Sequence, residues 1–155
     1  AVQHYDKKHL FTFGGEHKRF TAGTERVVVN FRGVRILLEV CYDLRFPVWS
    51  RNLGDYDMIL YVASWPTPRV DAWSALLRAR AIENQCYVAG VNRMGTDPAC
   101  EYSGGSAIID PYGKTIAECP WSRESAVSAD IDMEALQAFR KKFPVLDDAD
   151  PFTLI

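Results

Sequence analysis

The residue of this sequence most suited to covalent chemistry is Cys41. It follows the apolar run 34–40 (VRILLEV), where a strand must end and a helix is expected to begin. A thiol there is exposed at the rim of a sheet and faces the positive end of a helix, which lowers its pKa and makes it a nucleophile. The alternative is a small buried core residue, the usual environment of a lone cysteine.

Four basic residues near the N-terminus are further candidates. Lys7 and Lys8, judged by residue type alone, are better explained as solvated surface charges than as catalytic groups. His9 and His17 could each pair with Cys41 as in a Cys–His protease. No other feature supports that pair, so we expect a packed His9 and a surface His17.

Candidate binding residues lie near the ends of the apolar runs. Trp65 comes just after a buried strand, where α/β sheets place ligand sites, so it could form a pocket wall or belong to the core. Arg69 and Arg93 are loop arginines that could hold a substrate carboxylate, although a solvated arginine is the commoner outcome. Asp43 and Arg45 are expected to form an ion pair that braces the turn after Cys41.

Length and composition exclude several classes of protein. The chain has 155 residues, 48% hydrophobic and 25% charged, which suits one globular domain with a real core. A net charge of -2 without a basic cluster argues against a nucleic-acid partner. No apolar run is long enough to span a bilayer, and the N-terminus does not resemble a signal peptide. We therefore expect a cytoplasmic globular protein.

The cysteines give no sign of a metal site or a disulfide framework. Their spacing contains no C-x-x-C pair and no Cys/His ligand pattern, so we expect no metal and no cofactor. A chain with this much apolar core needs no disulfides, which favours a reducing compartment. The four are Cys41, Cys86, Cys100 and Cys119.

Hydrophobic patterning predicts the elements in the first half of the chain. Residues 26–31 and 34–40 are expected to be strands joined by a tight turn. Residues 46–52 could form a short helix with Pro47 in its first turn. The apolar run 57–64 is typical of a strand buried on both faces, and two prolines end it.

The second half begins with a predicted helix capped by Asp71 and followed by a buried strand over 86–91. This strand–helix–strand order predicts parallel pairing through a βαβ crossover. The predicted apolar face of the helix carries Ala72, Ala75, Leu76, Ala79 and Ile82.

Further along, 93–102 is predicted to be a polar loop, and 105–110 and 114–117 a hairpin. A last strand is expected over 126–131 and a last helix over 133–142. The predicted fold class is α/β with a mixed sheet and flanking helices.

Four segments together resemble the nitrilase superfamily, the carbon–nitrogen hydrolases. They run through the chain in the family's order: the lysine motif at 5–11 (YDKKHLF), Glu16 with 20–23 (FTAG), the nucleophile motif at 39–47 (EVCYDLRFP) and the helix at 78–85 (RARAIENQ). The resemblance implies that Cys41 is the nucleophile and Lys7 the catalytic lysine. Glu16 would hold Lys7 or the substrate amide, and the backbone N–H of Tyr42 would help to bind the oxyanion.

The family's catalytic set also contains a glutamate upstream of the lysine motif, and this sequence has no glutamate there. The resemblance therefore implies that residues 1–155 form a single domain that is the C-terminal half of an αββα sandwich, with its natural end at 150–155. Without the other half, a sheet face bearing Val29, Leu37 and Ile59 or their neighbours would be exposed. The isolated chain is then expected to associate.

Within the family, 43–52 (DLRFPVWSRN) and 102–106 (YSGGS) look most like the ω-amidase branch, which acts on 2-oxoglutaramate and similar amides. The expected reaction is amide hydrolysis through a cysteine thioester, with release of ammonia. The alternatives are an N-carbamoyl or deaminated-glutathione amidase, or an inactive half-protein. The resemblance also implies a homo-oligomer with contacts through the Glu83 helix and the C-terminal segment, while Glu83 and Asn84 could equally serve packing.

Overall fold

The chain folds around a six-stranded mixed sheet, which a computed structural model describes for residues 3–153. The sheet order is β1-β2-β3-β4-β7-β8, and β5 and β6 form a separate hairpin. The predicted α/β class with a mixed sheet is confirmed. The strands are β1 (Val28–Phe31), β2 (Val34–Val40), β3 (Met58–Ala63), β4 (Tyr87–Asn92), β5 (Met94–Thr96), β6 (Glu101–Ser103), β7 (Ala107–Ile109) and β8 (Thr115–Glu118).

The edge of the sheet is the predicted β1–β2 hairpin. Arg32 and Gly33 form its two-residue turn, and both have positive φ, 51° and 84°. Such a turn matches the twist of the flanking strands. The hairpin places Val40, the last residue of β2, directly before Cys41.

Three parallel strands form the centre of the sheet. β2 pairs with β3, and β3 pairs with β4 after a crossover through helix α2 (Val70–Glu83). The predicted βαβ unit is therefore present. A 3-10 helix (Cys41–Arg45) and the short helix α1 (Pro47–Ser50) follow β2, with Pro47 at the start of α1 as predicted.

The start and the buried face of α2 differ from prediction. The helix begins at Val70, and Asp71 lies exposed in its first turn without capping it. The buried face carries Trp73, Leu77 and Ala81, one position away from the predicted stripe. Alanines occur on both sides of this helix, so the position of the large side chains, Trp73 and Leu77, decides which face meets the sheet.

Two predictions for the region after β4 were wrong. Residues 93–102 are not wholly loop, because β5 and β6 pair there around a turn held by Asp97, whose carboxylate accepts bonds from Ala99 N–H and Cys100 N–H. Residues 126–131 form no strand. A strand needs a hydrogen-bonded neighbouring strand as well as a suitable sequence, and no segment of the described chain pairs with these residues. The β7–β8 hairpin was predicted correctly.

The two faces of the sheet differ in cover. Helix α2 packs on one face, where Leu37 and Ile59 are fully buried, so these residues do not lie on an exposed face as predicted. Their sequence neighbours point the other way. That opposite face is apolar and includes Val62 and Val91, which are 47% and 51% exposed, and we call it the open face; it carries Val29, Ile36, Leu38, Val40, Met58, Leu60, Val62, Ala89 and Val91.

The last helix, α3 (Met133–Lys142), is capped by the preceding Asp132, whose carboxylate accepts a hydrogen bond from Ala135 N–H. It is fastened by Arg140, which donates to the carbonyls of Gln85 and Tyr56 and pairs with Asp57. The C-terminal segment was predicted to contact a second subunit and to form the natural end of the chain. Its last two residues, 154–155, lie outside the described residues.

Candidate active site

Cys41 lies at the carboxyl end of β2, beside the carboxyl end of β3. Its Sγ is 3.8 Å from the carbonyl oxygen of Ser64, the residue after β3. Its φ of 49° is unusual for a residue with a side chain, and such strain is concentrated at functional sites. The 3-10 helix begins at Cys41, directly after the last residue of β2, so the thiol lies at the rim of the sheet as predicted.

The predicted lowering of the Cys41 pKa was wrong. Burial raises the pKa of this thiol above its usual value, while the nearby Lys7 ammonium acts in the opposite direction. Desolvation of a thiolate is the larger effect because the side chain is mostly covered and its 3-10 helix is only five residues long. Cys41 therefore needs a proton acceptor before it can act as a nucleophile.

Lys7 and Glu16 form an ion pair in the same cleft. Lys7 Nζ lies 2.7 and 2.9 Å from the two carboxylate oxygens of Glu16, which also accepts from Phe11 N–H at 2.8 Å. Lys8 instead lies over the ring of Trp49, 5.0 Å from its centroid. The two adjacent lysines thus have different environments: Lys7 lines the same cleft as Cys41, and Lys8 does not.

Tyr42 and Trp65 also line this cleft, which has a volume of about 1120 Å³ and is larger than a typical small-molecule site. Tyr42 is the second residue of the 3-10 helix, where a backbone N–H has no acceptor within the helix. Trp65 fits both earlier interpretations, because it is only 3% exposed, belongs to the core and still borders the cleft.

Asp43 does not pair with Arg45, contrary to prediction. Its buried carboxylate accepts from the backbone N–H of His9 at 2.8 Å, from that of Val40 at 3.1 Å and from the hydroxyl of Tyr5 at 2.9 Å. A carboxylate only accepts, so the His9 Nδ1 that lies 2.8 Å away donates a further bond. Asp43 thereby ties the lysine motif to the turn that carries Cys41.

Of the remaining predicted candidates, Arg69 lines the cleft, whereas His9, His17 and Arg93 do not. His9 bonds to Asp43 and stacks on Phe46 at 3.8 Å, and His17 is exposed. Neither histidine lines the cleft. Arg93 lies outside the cleft, 3.8 Å from Asp97, so it already has a carboxylate partner.

Sequence reasoning missed two polar residues that shape the site. Asn92, at the end of β4, accepts from Trp65 N–H and donates to the carbonyls of Trp65 and Gly104. Tyr5 accepts from the indole N–H of Trp49 and from Lys8 N–H while donating to Asp43. The sequence signal for Asn92 was its position as a polar residue at the end of an apolar strand.

Residues 3–153 contain neither a metal-ligand cluster nor a helix suited to span a membrane. No group of three or more His, Cys, Asp or Glu side chains is arranged to hold a metal ion within that range. Over the same range, no helix has the length and apolar character needed to cross a membrane.

The chain belongs to the carbon–nitrogen hydrolase family, whose model matches residues 1–141. It is 55% identical over 155 residues to "Omega-amidase YafV" of Escherichia coli K12, and 42% identical over 149 residues to "2-oxoglutaramate amidase" of Bacillus subtilis. These matches cover 99% and 95% of this chain. The crystal structure of XC1258 from Xanthomonas campestris, described as a CN-hydrolase superfamily protein with an arsenic adduct in the active site, superposes with a TM-score of 0.95 at 48% identity and covers 99% of this chain.

The chain spans 60% of the Escherichia coli relative, 57% of the Bacillus relative and 61% of the Xanthomonas chain. The expectation that it is a C-terminal half is not borne out, because the matched region runs along nearly the whole chain and exceeds half of each relative. The family assignment itself is confirmed.

Proposed function

We propose that this chain hydrolyses the amide bond of a small ω-amide, such as 2-oxoglutaramate, through a thioester on Cys41. The observation that carries the proposal is that Cys41, Lys7 and Tyr42 line one cleft, in which the Lys7 charge acts on the Cys41 thiol. The relatives named for ω-amides, matched over nearly the whole chain, support this substrate class.

The chemistry follows from these groups. Cys41 Sγ attacks the amide carbon, and the carbonyl oxygen becomes an oxyanion that Lys7 Nζ and Tyr42 N–H stabilise. The C–N bond then breaks, the nitrogen takes a proton and ammonia leaves. Water hydrolyses the thioester to the acid and restores the thiol.

A carboxylate must accept the thiol proton, because burial raises the Cys41 pKa. Two carboxylates line the cleft, Asp6 and Glu16. The contacts of Glu16 favour a positioning role, since both of its oxygens accept bonds from Lys7 and one also accepts from Phe11 N–H. Of the two, Glu16 contacts Lys7, which makes it the proton acceptor that we propose for this chain acting by itself.

The decisive test is ammonia release from 2-oxoglutaramate and succinamate by this chain, beside Cys41→Ala. We expect release that disappears in Cys41→Ala. Lys7→Ala should lower the rate by about 10²–10³, the usual loss when one oxyanion donor is removed. Lys8→Ala is the matched control and should change the rate by only about twofold, because Lys8 lies on Trp49.

Absence of release from the folded chain would contradict the proposal that these residues suffice. Equal losses in Lys7→Ala and Lys8→Ala would contradict the role given to Lys7. A rate that survives Cys41→Ala would exclude the thioester.

The proposal extends to association and location. The apolar open face favours a homo-oligomer, because large uncovered apolar surfaces promote contact between chains. The four cysteines are all free thiols, which favours a reducing compartment such as the cytoplasm.

A further inference from the structure

Two arginines line the cleft without a carboxylate partner. Arg45 lies within the nucleophile motif and Arg69 directly precedes α2, and both border the same cleft as Cys41. Within residues 3–153, neither guanidinium forms an ion pair. An unpaired arginine that borders a binding cleft is available for an anionic ligand.

Aromatic rings hold both guanidinium groups in place. Arg45 Cζ lies 4.8 Å from the ring centroid of Trp65, and Arg69 Cζ lies 5.7 Å from that of Phe11. Stacking uses the flat face of a guanidinium and leaves the N–H groups at its edge free. Each arginine is therefore oriented but keeps its donors for a ligand.

The rings that support these arginines are themselves fixed. The indole N–H of Trp65 donates to the Arg69 carbonyl at 2.7 Å, and Trp65 packs against Trp73. Phe11 contacts Tyr42 with a centroid distance of 5.0 Å. Through these rings both arginines contact residues that line the same cleft as Cys41.

The carboxylates of the cleft do not neutralise these arginines. Glu16 is engaged by Lys7 and by Phe11 N–H. Asp6 lies 3.8 Å from His4, and its side chain is 72% exposed. An anionic group of the substrate would consequently meet arginines whose charge is still available.

We propose that Arg45 and Arg69 form the subsite that binds the carboxylate at the far end of the amide substrate. The proposal rests on the proposed amidase function, with Cys41 and Lys7 at the amide end. It restricts the substrate class to monoamides of dicarboxylates and excludes neutral amides of the same shape. A carboxylate bound by guanidinium forks is recognised by geometry as well as by charge.

The test measures binding rather than turnover. Succinamate and succinamide differ only in a carboxylate against an amide at one end, so they isolate the charge. Each is titrated against the intact chain, and the alkylation of Cys41 by iodoacetamide is followed by peptide mass spectrometry. The concentration that halves the alkylation rate gives the affinity of each compound.

We expect succinamate to protect Cys41 at a concentration at least about tenfold below that of succinamide, the usual strength of a charge-assisted pair. In the double variant Arg45→Ala/Arg69→Ala this preference should fall to about one. Arg69→Lys, which keeps the charge but loses the fork, should retain part of it. Arg93→Ala is the matched control and should keep the full preference, because Arg93 is paired with Asp97 outside the cleft.

Equal protection by the two compounds would overturn the carboxylate subsite while leaving the amidase proposal standing. An unchanged preference in the double arginine variant would overturn the assignment of the subsite to these residues. Failure of both compounds to protect Cys41 would overturn the amidase proposal together with the subsite.

Discussion

At the scale of single residues, buried carboxylates next to the nucleophile have opposite environments. Asp43 is surrounded by donors from Tyr5, His9 and Val40, which suit a charged carboxylate. Glu39, two residues before Cys41, accepts from Ser50 Oγ, and its second oxygen has no hydrogen-bond partner among residues 3–153. Burial and the charge of Asp43 raise the pKa of Glu39 to about 8.

Glu39 should make the stability of the protein depend on pH. The folded chain keeps the Glu39 proton up to about pH 8, whereas the unfolded chain loses it near its usual pKa of 4.5. Folding therefore takes up a proton between these values, and this contribution to stability falls as pH rises through that window. Glutamine does not titrate, so the free energy of unfolding of Glu39→Gln should decline less steeply with pH than that of the parent chain. The two slopes should differ by up to the amount that corresponds to about one bound proton.

Urea unfolding at intervals from pH 5 to pH 8 measures this slope for the parent chain and the variant. Glu118→Gln, an exposed substitution in β8, is the control and should leave the slope unchanged. Parallel profiles for the parent chain and Glu39→Gln would show that Glu39 is ionised in the folded protein.

At the scale of elements, the contact between α2 and β4 fixes the sheet behind the site. Gly90 lies in β4 where the helix approaches most closely. A Cβ added there would be 2.6 Å from a methyl carbon of Leu77 and 2.8 Å from the ring of Trp73. Glycine is therefore needed at this position for space rather than for backbone conformation.

Gly90→Ala should lower the free energy of unfolding by about 1–3 kcal/mol, because the extra methyl group pushes α2 away from the sheet. Chemical denaturation measures the loss. Val91→Ala, in the same strand but with its side chain on the open face, should cost less than about 1 kcal/mol. A Gly90→Ala variant as stable as the parent would mean that α2 moves aside freely.

At the scale of the whole molecule, the open face is an apolar surface that stays partly exposed in residues 3–153. It lies on the side of the sheet opposite α2 and includes the exposed pair Val62 and Val91, which are partners in the β3–β4 ladder. An apolar face of this kind favours contact with another chain. The predicted alternative is a contact through α2, where Ile82 is also about half exposed.

Val91→Lys should shift the chain toward monomer, because a charge in the middle of an apolar interface is costly to bury. Sedimentation velocity over a range of concentrations measures the shift. Ile82→Lys is the matched control on the helix layer and should leave association unchanged. The reverse result would assign the contact to α2, and a parent chain that is monomeric throughout would contradict association.

The sequence by itself determined the features that depend on short-range patterns. Apolar runs bounded by turns placed β2, β3 and β4, and the motif spacing identified the family with Cys41, Lys7 and Glu16. The roles of these residues stay predictions. Such signals survive in a linear chain because strand period, turn chemistry and motif order are local properties.

Only the tertiary structure decided which partner each polar side chain found. Asp43 bonds to His9 and Tyr5 rather than to Arg45. Arg93 pairs with Asp97, while Arg45 and Arg69 form no ion pair within the described part of the chain. At Cys41, burial raises the thiol pKa, and this effect is larger than the lowering expected from the start of the helix. These outcomes depend on distance and desolvation between segments far apart in sequence, which no local pattern encodes.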